Sequence, residues 1–543
     1  MSAIALAVMG DFVDFFASST LRPLSMVVVV LPLSVMYRVQ ATLLFAARAL
    51  LVFPWSTAQW RHARRAARVA AEVKDAFARK QRVCTARPSW MNLSTRIVTY
   101  KATSRNVSLS DFNEILDVTP TTVTVEPGCT VGQITDWLLA RGFMMATTLE
   151  IREATIGGLA MAVAMTTASH LYGLLQDTVE SYEVVVADGT LLRVTRDDPA
   201  TRELFHAIPW SHGSLCMLVA VTLKTVPVKR YCRVKYRYFG DQDEYCRAIA
   251  AIADDDDPAT RCDFVEATVF SKSTAVVMEA RFADGAPGLR VNHVGLWWHE
   301  LFYKRVERVA TAKADDEELV PTGQYIFRHN RGVFWTLRDQ LPERVCNHPL
   351  FLFALGWMLP PQVTLLKLPA FTKRLREEMR TQRVYQDVVL PMDCLKEAVN
   401  LGFDLFGISP LLVYPSRIYD DGPGLRGTFP TRAVERNLVS SSRQQQQPAA
   451  AKAGMFFDLG IYGIPAQVRD NTGPFDGVAK ARQVEEFTRQ RGGAPFLYAQ
   501  TFFTPDEFAA TFDLTLYNRV RKAWKCEGAF VDLYEKISSD KKG

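Results

Sequence analysis

Apolar and polar positions divide the chain into an apolar entry, a basic stretch and a long mixed body. Leu24 to Tyr37 is strongly apolar, with four consecutive valines at Val27 to Val30, and Leu43 to Trp55 is apolar again after Arg38 and around Arg48. A bilayer span needs roughly 20 apolar residues, so Pro23 to Tyr37 crosses only with help from the sequence out to about Leu44. An interfacial anchor that does not cross satisfies the same pattern. Met1 to Met9 lacks the basic n-region of a signal peptide. Arg61, Arg64, Arg65 and Arg68 follow the apolar zone and Asp11 and Asp14 precede it, which places the large C-terminal part in the cytosol.

Arg61 to Lys80 is alanine-rich and basic and predicts a juxtamembrane helix. From Val83 short strands and helices alternate. Thr121 to Glu126 alternates around Val123 and Val125, a strand closed by the Pro127-Gly128 turn. Thr130 caps a helix with Val131, Ile134, Trp137 and Leu138 at helical spacing, ended at Gly142. Val184 to Val186 and Leu191 to Val194 predict a hairpin about Asp188-Gly189. Lys229 to Tyr238 alternates again, and Asp254 to Asp257 reads as an acidic loop. The middle of the chain is aromatic, through Trp297, Trp298, Phe302, Phe334, Trp335, Phe351, Phe353 and Trp357. Ser416 to Lys452, with Gln444 to Gln447 and a short alanine run, reads as a flexible surface loop. The mixture of helix and strand predicts an α+β architecture.

A length of 543 residues exceeds one core and predicts two or more domains. The net charge of +6 is small, and much of the visible basic excess lies in Arg61 to Arg82, so no nucleic-acid partner is expected. Nine dispersed cysteines form no Cys-x-x-Cys pair and no cluster of zinc-ligand spacing, so no metal is expected and the thiols read as reduced. The sequons at Asn92 and Asn106 are then silent.

Gly422-Pro-Gly-Leu-Arg-Gly427 matches the dinucleotide fingerprint in form, but it lies in the loose loop with no strand before it. No Walker loop, His-Glu-x-x-His or Gly-x-Ser-x-Gly is present, which removes the common P-loop and hydrolase readings. The informative stretch is Thr155-Ile-Gly-Gly-Leu-Ala-Met-Ala-Val-Ala-Met-Thr-Thr-Ala-Ser-His-Leu-Tyr-Gly173, small and almost uncharged. Adjacent glycines let a backbone approach a large planar or pyrophosphate-bearing ligand. Such a run serves tight core packing equally well. Upstream stands Val125-Glu-Pro-Gly128, and downstream stand Asp177-Thr178-Val179, Glu183 to Gly189 and Leu204-Phe-His-Ala-Ile-Pro-Trp210.

That order resembles the FAD-binding domain of the vanillyl-alcohol-oxidase/p-cresol-methylhydroxylase (PCMH) superfamily. Within it the chain is similar to the delta-24 sterol reductases from about Cys84 to Tyr534. The carrying motifs are Cys84-Thr-Ala-Arg-Pro-Ser-Trp90, Ile156-Gly-Gly-Leu159, Ser169-His-Leu-Tyr-Gly173, Ala207-Ile-Pro-Trp-Ser211, Phe264-Val-Glu266, Arg328-His-Asn-Arg331, Gly356-Trp-Met-Leu-Pro-Pro361, Leu365-Leu-Lys367, Gln386-Asp387 and Asp458-Leu-Gly-Ile-Tyr-Gly463. The resemblance implies an N-terminal hydrophobic membrane anchor over 1–60, the basic helix over 61–82, a two-subdomain PCMH-type FAD-binding domain over 83–228, and a substrate-binding cap with a C-terminal return over 229–543 that contains the loop 416–452. It also implies the endoplasmic reticulum membrane, crossed once.

Non-covalent FAD is expected along Thr155, Ile156, Gly157, Gly158, Leu159, Ala160, Met161, Ala162, Val163, Ala164, Met165, Thr166 and Thr167. Relatives often have glycine where this chain has Ala162, Ala164 and Cys216. His170 reads as structural rather than as a flavinylation site. The implied reaction passes hydride from NADPH through the flavin to a sterol side-chain alkene. An unconjugated alkene also needs a protein acid for the other carbon. Candidates are Tyr325, His329, Arg331 and Tyr462, with Arg328 in support. Phe327 replaces a histidine of the relatives and Thr336 a glutamate, and Glu266 reads either as buried near the site or, by default, as a surface or strand-end residue. Two other functions compete: an FAD-dependent oxidase of the same superfamily, and a flavin-deficient sterol-binding scaffold.

Overall fold

A single helical path opens the described residues, through Arg22–Ser25, a π-helical turn Met26–Val30, and α1, Leu31–Val52. The structure, a computed structural model, describes residues 22–52, 57–88, 98–362, 377, 381–422, 424–439 and 452–538. Helix α2, Ala58–Ala78, starts at Thr57, whose hydroxyl accepts from the Trp60 N–H. Its stripe of Ala66, Val69, Val73 and Ala76 is buried. The basic stretch is thus a wall of the first unit, with Arg61, His62 and Arg65 facing protein and Arg64, Lys74, Arg79 and Lys80 facing solvent. Arg61 pairs with Glu114 at 3.0 Å, and Arg65 and His62 reach Glu126 at 2.6 and 2.8 Å.

The first unit holds β1 (Val83–Thr85) and β2 (Arg105–Val107), a parallel pair, and an antiparallel sheet with the strand Met217–Pro227 at its centre. That sheet comprises β3 (Ile115–Val118), β4 (Thr122–Val125), β5 (Phe143–Met145), β6 (Val179–Val185), β7 (Leu191–Thr195) and β8 (Met217–Pro227) in the order β3-β4-β8-β6-β7, with β5 also on β8. Helix α3 (Val131–Leu139) carries a capping box between Thr130 and Gln133. Short helices α4 (Ile156–Met161), α5 (Ser169–Tyr172) and α6 (Arg202–Ala207) follow.

The second unit is an eight-stranded antiparallel sheet of β9 (Tyr231–Phe239), β10 (Phe264–Val269), β11 (Ala275–Ala283), β12 (Asp316–Pro321), β13 (Val384–Pro391), β14 (Leu411–Asp420), β15 (Lys452–Gly463) and β16 (Ala494–Pro495). Its order is β12-β9-β11-β10-β14-β15-β13-β16. Successive side chains point to opposite faces. Val388, Leu390, Val413, Phe457, Leu459 and Ile461 pack together on one face with Tyr245 of α7 (Gln242–Ala253), and α8 (Phe302–Ala312), α9 (Thr322–Ile326) and α10 (Pro349–Leu355) come later in the chain. Helices α11 (Leu395–Phe406) and α12 (Gly477–Arg491) complete that apolar layer through Val399 and Val484. The alternate positions, among them Glu266, Asp387, Tyr414, Asp458 and Tyr462, turn to the opposite face. Finally α13 (Thr515–Ala523) returns to the first unit, where Tyr517 OH donates to Ser214 Oγ at 2.8 Å and Val83 N–H to the Ala529 carbonyl at 2.7 Å.

The reading of 416–452 as one loop is corrected at both ends. Ser416 to Asp420 completes β14 and Lys452 opens β15, two strands paired from Leu412↔Gly460 to Asp420↔Lys452. Buried Ile418 and the strand register outweigh the polar composition that follows. Gln444 to Gln447 lies outside the described residues, as do Asn92, Trp90 and the Leu365-Leu-Lys367 motif.

Candidate functional site

The segment 155–167 lies where the two units meet. A Cβ at Gly157 would stand 2.5 Å from Pro127 Cβ, and the Gly157 N–H donates to the Pro127 carbonyl at 2.9 Å. Gly157 therefore packs the turn before α3. Gly158 differs: a Cβ there would meet only Thr155 Oγ1, at 3.6 Å, and its backbone face is exposed. Arg87 donates to that same Thr155 hydroxyl at 2.9 Å. Burial lowers the pKa of Arg87 and of Lys101, and pushes Lys536 down to about 8. Arg87 further weakens Lys101, and Lys101 weakens Lys536, so the three cations are neighbours. Cations gathered beside the segment, with Arg87 exposed and Lys101 and Lys536 half-buried, suit a pyrophosphate.

The segment's carbonyls are held from behind. Trp210 and His212 N–H groups donate to Ala162 and Met161 carbonyls at 3.0 and 2.8 Å. Both residues adopt left-handed backbone, φ 64° and 50°, to do so. Gln176 Nε2 donates to the Leu159 and Ala162 carbonyls, while its Oε1 is buried without a partner. Ala164 and Cys216 are buried in the apolar core, so their extra atoms over glycine lie inside the protein. The open face at Gly158, the cations and the orphaned Gln176 oxygen fit a flavin nucleotide along 155–167. His170 sits between the Thr167 and Cys262 carbonyls at 3.0 and 3.1 Å, both ring nitrogens engaged, and ties the segment to the second unit.

Beyond the segment the polar face of the second sheet forms a buried cluster. Glu266 accepts from Arg328 Nε at 3.1 Å and from Arg328 Nη2, and from His329 Nε2 at 2.7 Å. Burial opposes its ionisation, but Arg328 and His329 prevail and hold it at about 2. Burial lowers His329, so its imidazole is neutral, and Nδ1 is left buried and partnerless. Phe334 stacks on that ring at 4.8 Å and lies 5.5 Å from Tyr462. Val333 and Phe334 reach this pose at φ 44° and 59°, strained backbone for side chains of this kind.

Asp387 accepts from Tyr462 OH and, at 2.7 Å, from Tyr498 OH. Burial raises it to about 6. Asp458 stands opposite Val389 on one side and Tyr414 on the other. Burial first, then the charge of Asp387, pushes it well above the carboxylate range, and its Oδ1 has no partner. The negative charge of Asp387 thus favours the protonated form of Asp458. Glu150, before α4, is raised by burial to about 7, and Glu150 Oε2 and the Tyr325 and Tyr414 hydroxyls are also buried without partners. Orphaned polar atoms at this density mark a place built for something other than stability.

Of the sequence candidates, the structure groups Tyr325, Arg328, His329 and Tyr462 here. Arg331 points away from this cluster: its guanidinium donates to the carbonyls of Trp297 and, at 3.0 Å, of His299, and so fastens a loop. Glu266 is corrected, from surface to full burial, because Arg328 compensates its charge. Glu150, Asp387, Tyr414, Asp458 and Tyr498 were missed. For Asp387, Tyr414 and Asp458 a signal was present, polar residues at buried positions of strands Val384–Pro391, Leu411–Asp420 and Lys452–Gly463, whereas Glu150 and Tyr498 lie outside any strand.

A family profile described as "FAD binding domain" matches residues 60–195, beginning within α2. The chain is 32% identical over 524 residues to the Caenorhabditis elegans "Delta(24)-sterol reductase homolog dhcr-24", covering 93% of this chain and 92% of that one. It is 32% identical over 511 residues to the Homo sapiens "Delta(24)-sterol reductase", covering 93% and 91%. To the Pisum sativum protein of the same name it is 31% identical over 473 residues, covering 85% and 81%. With an FAD-binding domain of the PCMH type and this similarity over nearly its whole length, the chain belongs to the delta(24)-sterol reductase family.

Proposed function

We propose that this protein is an FAD-dependent oxidoreductase that saturates the delta-24 double bond of a sterol side chain, with NADPH as the source of hydride, and that its N-terminal helix anchors it in the endoplasmic reticulum membrane with the body in the cytosol. The supporting observation is the pair Asp387 and Asp458, buried on one face of the second sheet by the β13–β15 register, with burial and the charge of Asp387 pushing Asp458 well above the carboxylate range.

A flavin held along 155–167 and reduced by NADPH would supply hydride to one alkene carbon. The chain's own residues supply the rest. Tyr462 and Tyr498 hold Asp387 as the anion. Asp458 keeps the proton and delivers it from Oδ1 to the second alkene carbon, which leaves Asp458 as a carboxylate that regains its proton when product release admits solvent. The ion pair of Glu266 with Arg328 fixes the neutral His329 and, through Phe334, the position of Tyr462. Phe334, Trp335 and Tyr325 surround these groups and exclude water, so the proton stays on the carboxyl until an alkene is present. Thr155 to Thr167, with Arg87 and Lys536, hold the nucleotide.

The test is conversion of a 24-unsaturated sterol by the purified full chain, followed by mass spectrometry of the sterol with and without NADPH. A gain of two hydrogens that requires NADPH supports the reading. Peroxide formed from an alcohol or lactone, without sterol reduction, replaces it with an oxidase.

A further inference from the structure

Residues Pro349–Met358 form a short helix that is apolar on every side. Leu352 and Met358 are buried, whereas Leu350, Phe353 and Trp357, at positions i, i+3 and i+7, leave 72%, 72% and 53% of their surface to solvent. Trp297 and Trp298 extend this face. Their rings lie 4.3 Å apart edge to face, both are exposed, and the Trp297 carbonyl presses against Gly356, where a Cβ would stand 2.2 Å from it. Scattered exposed apolar residues are ordinary, but five large ones on one contiguous face are not. Ten residues are too few to cross a bilayer and long enough to lie in its interface.

The neighbour of this face identifies what covers it. Arg38, near the end of the apolar helix Arg22–Gln40, donates to the Met358 and Pro360 carbonyls at 2.7 and 2.6 Å. Ser34 accepts from the Gln362 N–H at 2.8 Å. One side of the N-terminal helix is thus fixed to the residues that directly follow the patch. Its other side, through Val28, Met36 and Val39, is exposed and apolar. A bilayer that receives that helix meets Leu350, Phe353 and Trp357 next. Tryptophan is the side chain that favours the headgroup boundary.

We infer that the aromatic face of Leu350, Phe353, Trp357, Trp297 and Trp298 is a second, interfacial membrane contact that seats the substrate-binding unit on the same lipid surface as the N-terminal helix. The partner is a phospholipid bilayer. The contact rests on the anchor and not on the reaction, and it orients the Glu266 side of the second sheet, not its helix-covered side, toward a lipid-borne substrate.

The full chain is incorporated into phospholipid nanodiscs, with an environment-sensitive fluorophore on Phe353→Cys or on Lys396→Cys. Lys396 lies on α11, in the layer over the other face of the sheet. Both side chains face outward, so neither substitution disturbs the core, and the unsubstituted chain reports labelling of native thiols. Nitroxide lipids then quench the probe. The inference expects the label at 353 to be blue-shifted and quenched by nitroxides about 5–10 Å into the acyl region, and the label at 396 to remain aqueous and unquenched. Equal, water-like signals at both positions overturn it. A shielded label at 353 that lipid nitroxides do not quench also overturns it, in favour of a protein partner. Failure of the chain to co-elute with lipid overturns the anchor itself, whatever the reaction.

Discussion

Tyr498 donates a 2.7 Å hydrogen bond to Asp387, a residue 111 positions earlier. The contact exists because the chain, after α12, adds β16 to the edge of the second sheet beside Val388 and Val389 and carries Tyr498 past that edge. Tyr462 reaches the same carboxyl from β15. A hydrogen bond to a buried charged group contributes about 1.5–3 kcal/mol. Tyr498→Phe removes one of the two donors, raises Asp387 further and lowers kcat by about ten- to a hundredfold. Steady-state kinetics at constant flavin content measures this, and an unchanged kcat would make the tyrosine purely structural.

Asp458→Asn keeps the shape of the side chain and removes its proton. We expect kcat to fall by about 10²–10⁴-fold, with flavin content and melting temperature close to the parent. Asp458 is the acid form that works, so parent kcat declines as pH rises through its elevated pKa, and the residual rate of the variant lacks that decline. A pH profile identical in both proteins removes Asp458 from the reaction.

Glu266→Gln is expected to cost stability, not only rate. It leaves the Arg328 guanidinium buried without its counter-charge, a loss of about 3–5 kcal/mol where buried pairs are broken on one side. Denaturant unfolding measures the loss. Combining it with Arg328→Met, which withdraws the stranded charge, is expected to recover part of it, and a double variant less stable than the single one would contradict the pairing argument.

His62 couples folding to pH. Burial opposes its protonation, yet hydrogen bonds and charge from Glu126 and Glu183 raise it from 6.5 to about 9. Its stabilising contribution is therefore complete below about pH 6.5 and disappears as pH rises through about 9, on the order of 3 kcal/mol. Lys536, lowered to about 8, acts oppositely above that pH, so the parent alone does not isolate the effect. The difference in melting temperature between parent and His62→Gln should shrink from pH 6.5 to pH 9.5, and a constant difference would refute the linkage.

Gly157 and Gly158 separate packing from access. Gly157→Ala drives a methyl onto Pro127 and should lower the melting temperature and the flavin content together. Gly158→Ala meets nothing closer than 3.6 Å and should fold normally, so any loss of flavin absorbance there reports the ligand face alone.

Local signals carried well from sequence to structure. Thr130 before Val131, Ile134 and Leu138 specifies a capped amphipathic helix without outside help, and Asp188-Gly189 specifies its hairpin. Asp387 and Asp458 were illegible as a pair, because 71 residues separate them and only the strand register between β13 and β15 turns them to one face. Arg331 looked equal to Arg328 by composition. The two point different ways from one short segment, Arg328 to a carboxylate and Arg331 to loop carbonyls, and spacing alone does not encode that choice. The end of β14 was hidden by the polar sequence beyond it.

The most direct test is the visible spectrum of the full chain purified in detergent, followed without oxygen through addition of NADPH and then of a 24-unsaturated sterol. We predict flavin absorbance that NADPH bleaches and the sterol restores, with saturated sterol as the product. A colourless protein that takes up no added FAD, or a reduced flavin that the sterol leaves bleached and only oxygen restores, would contradict it.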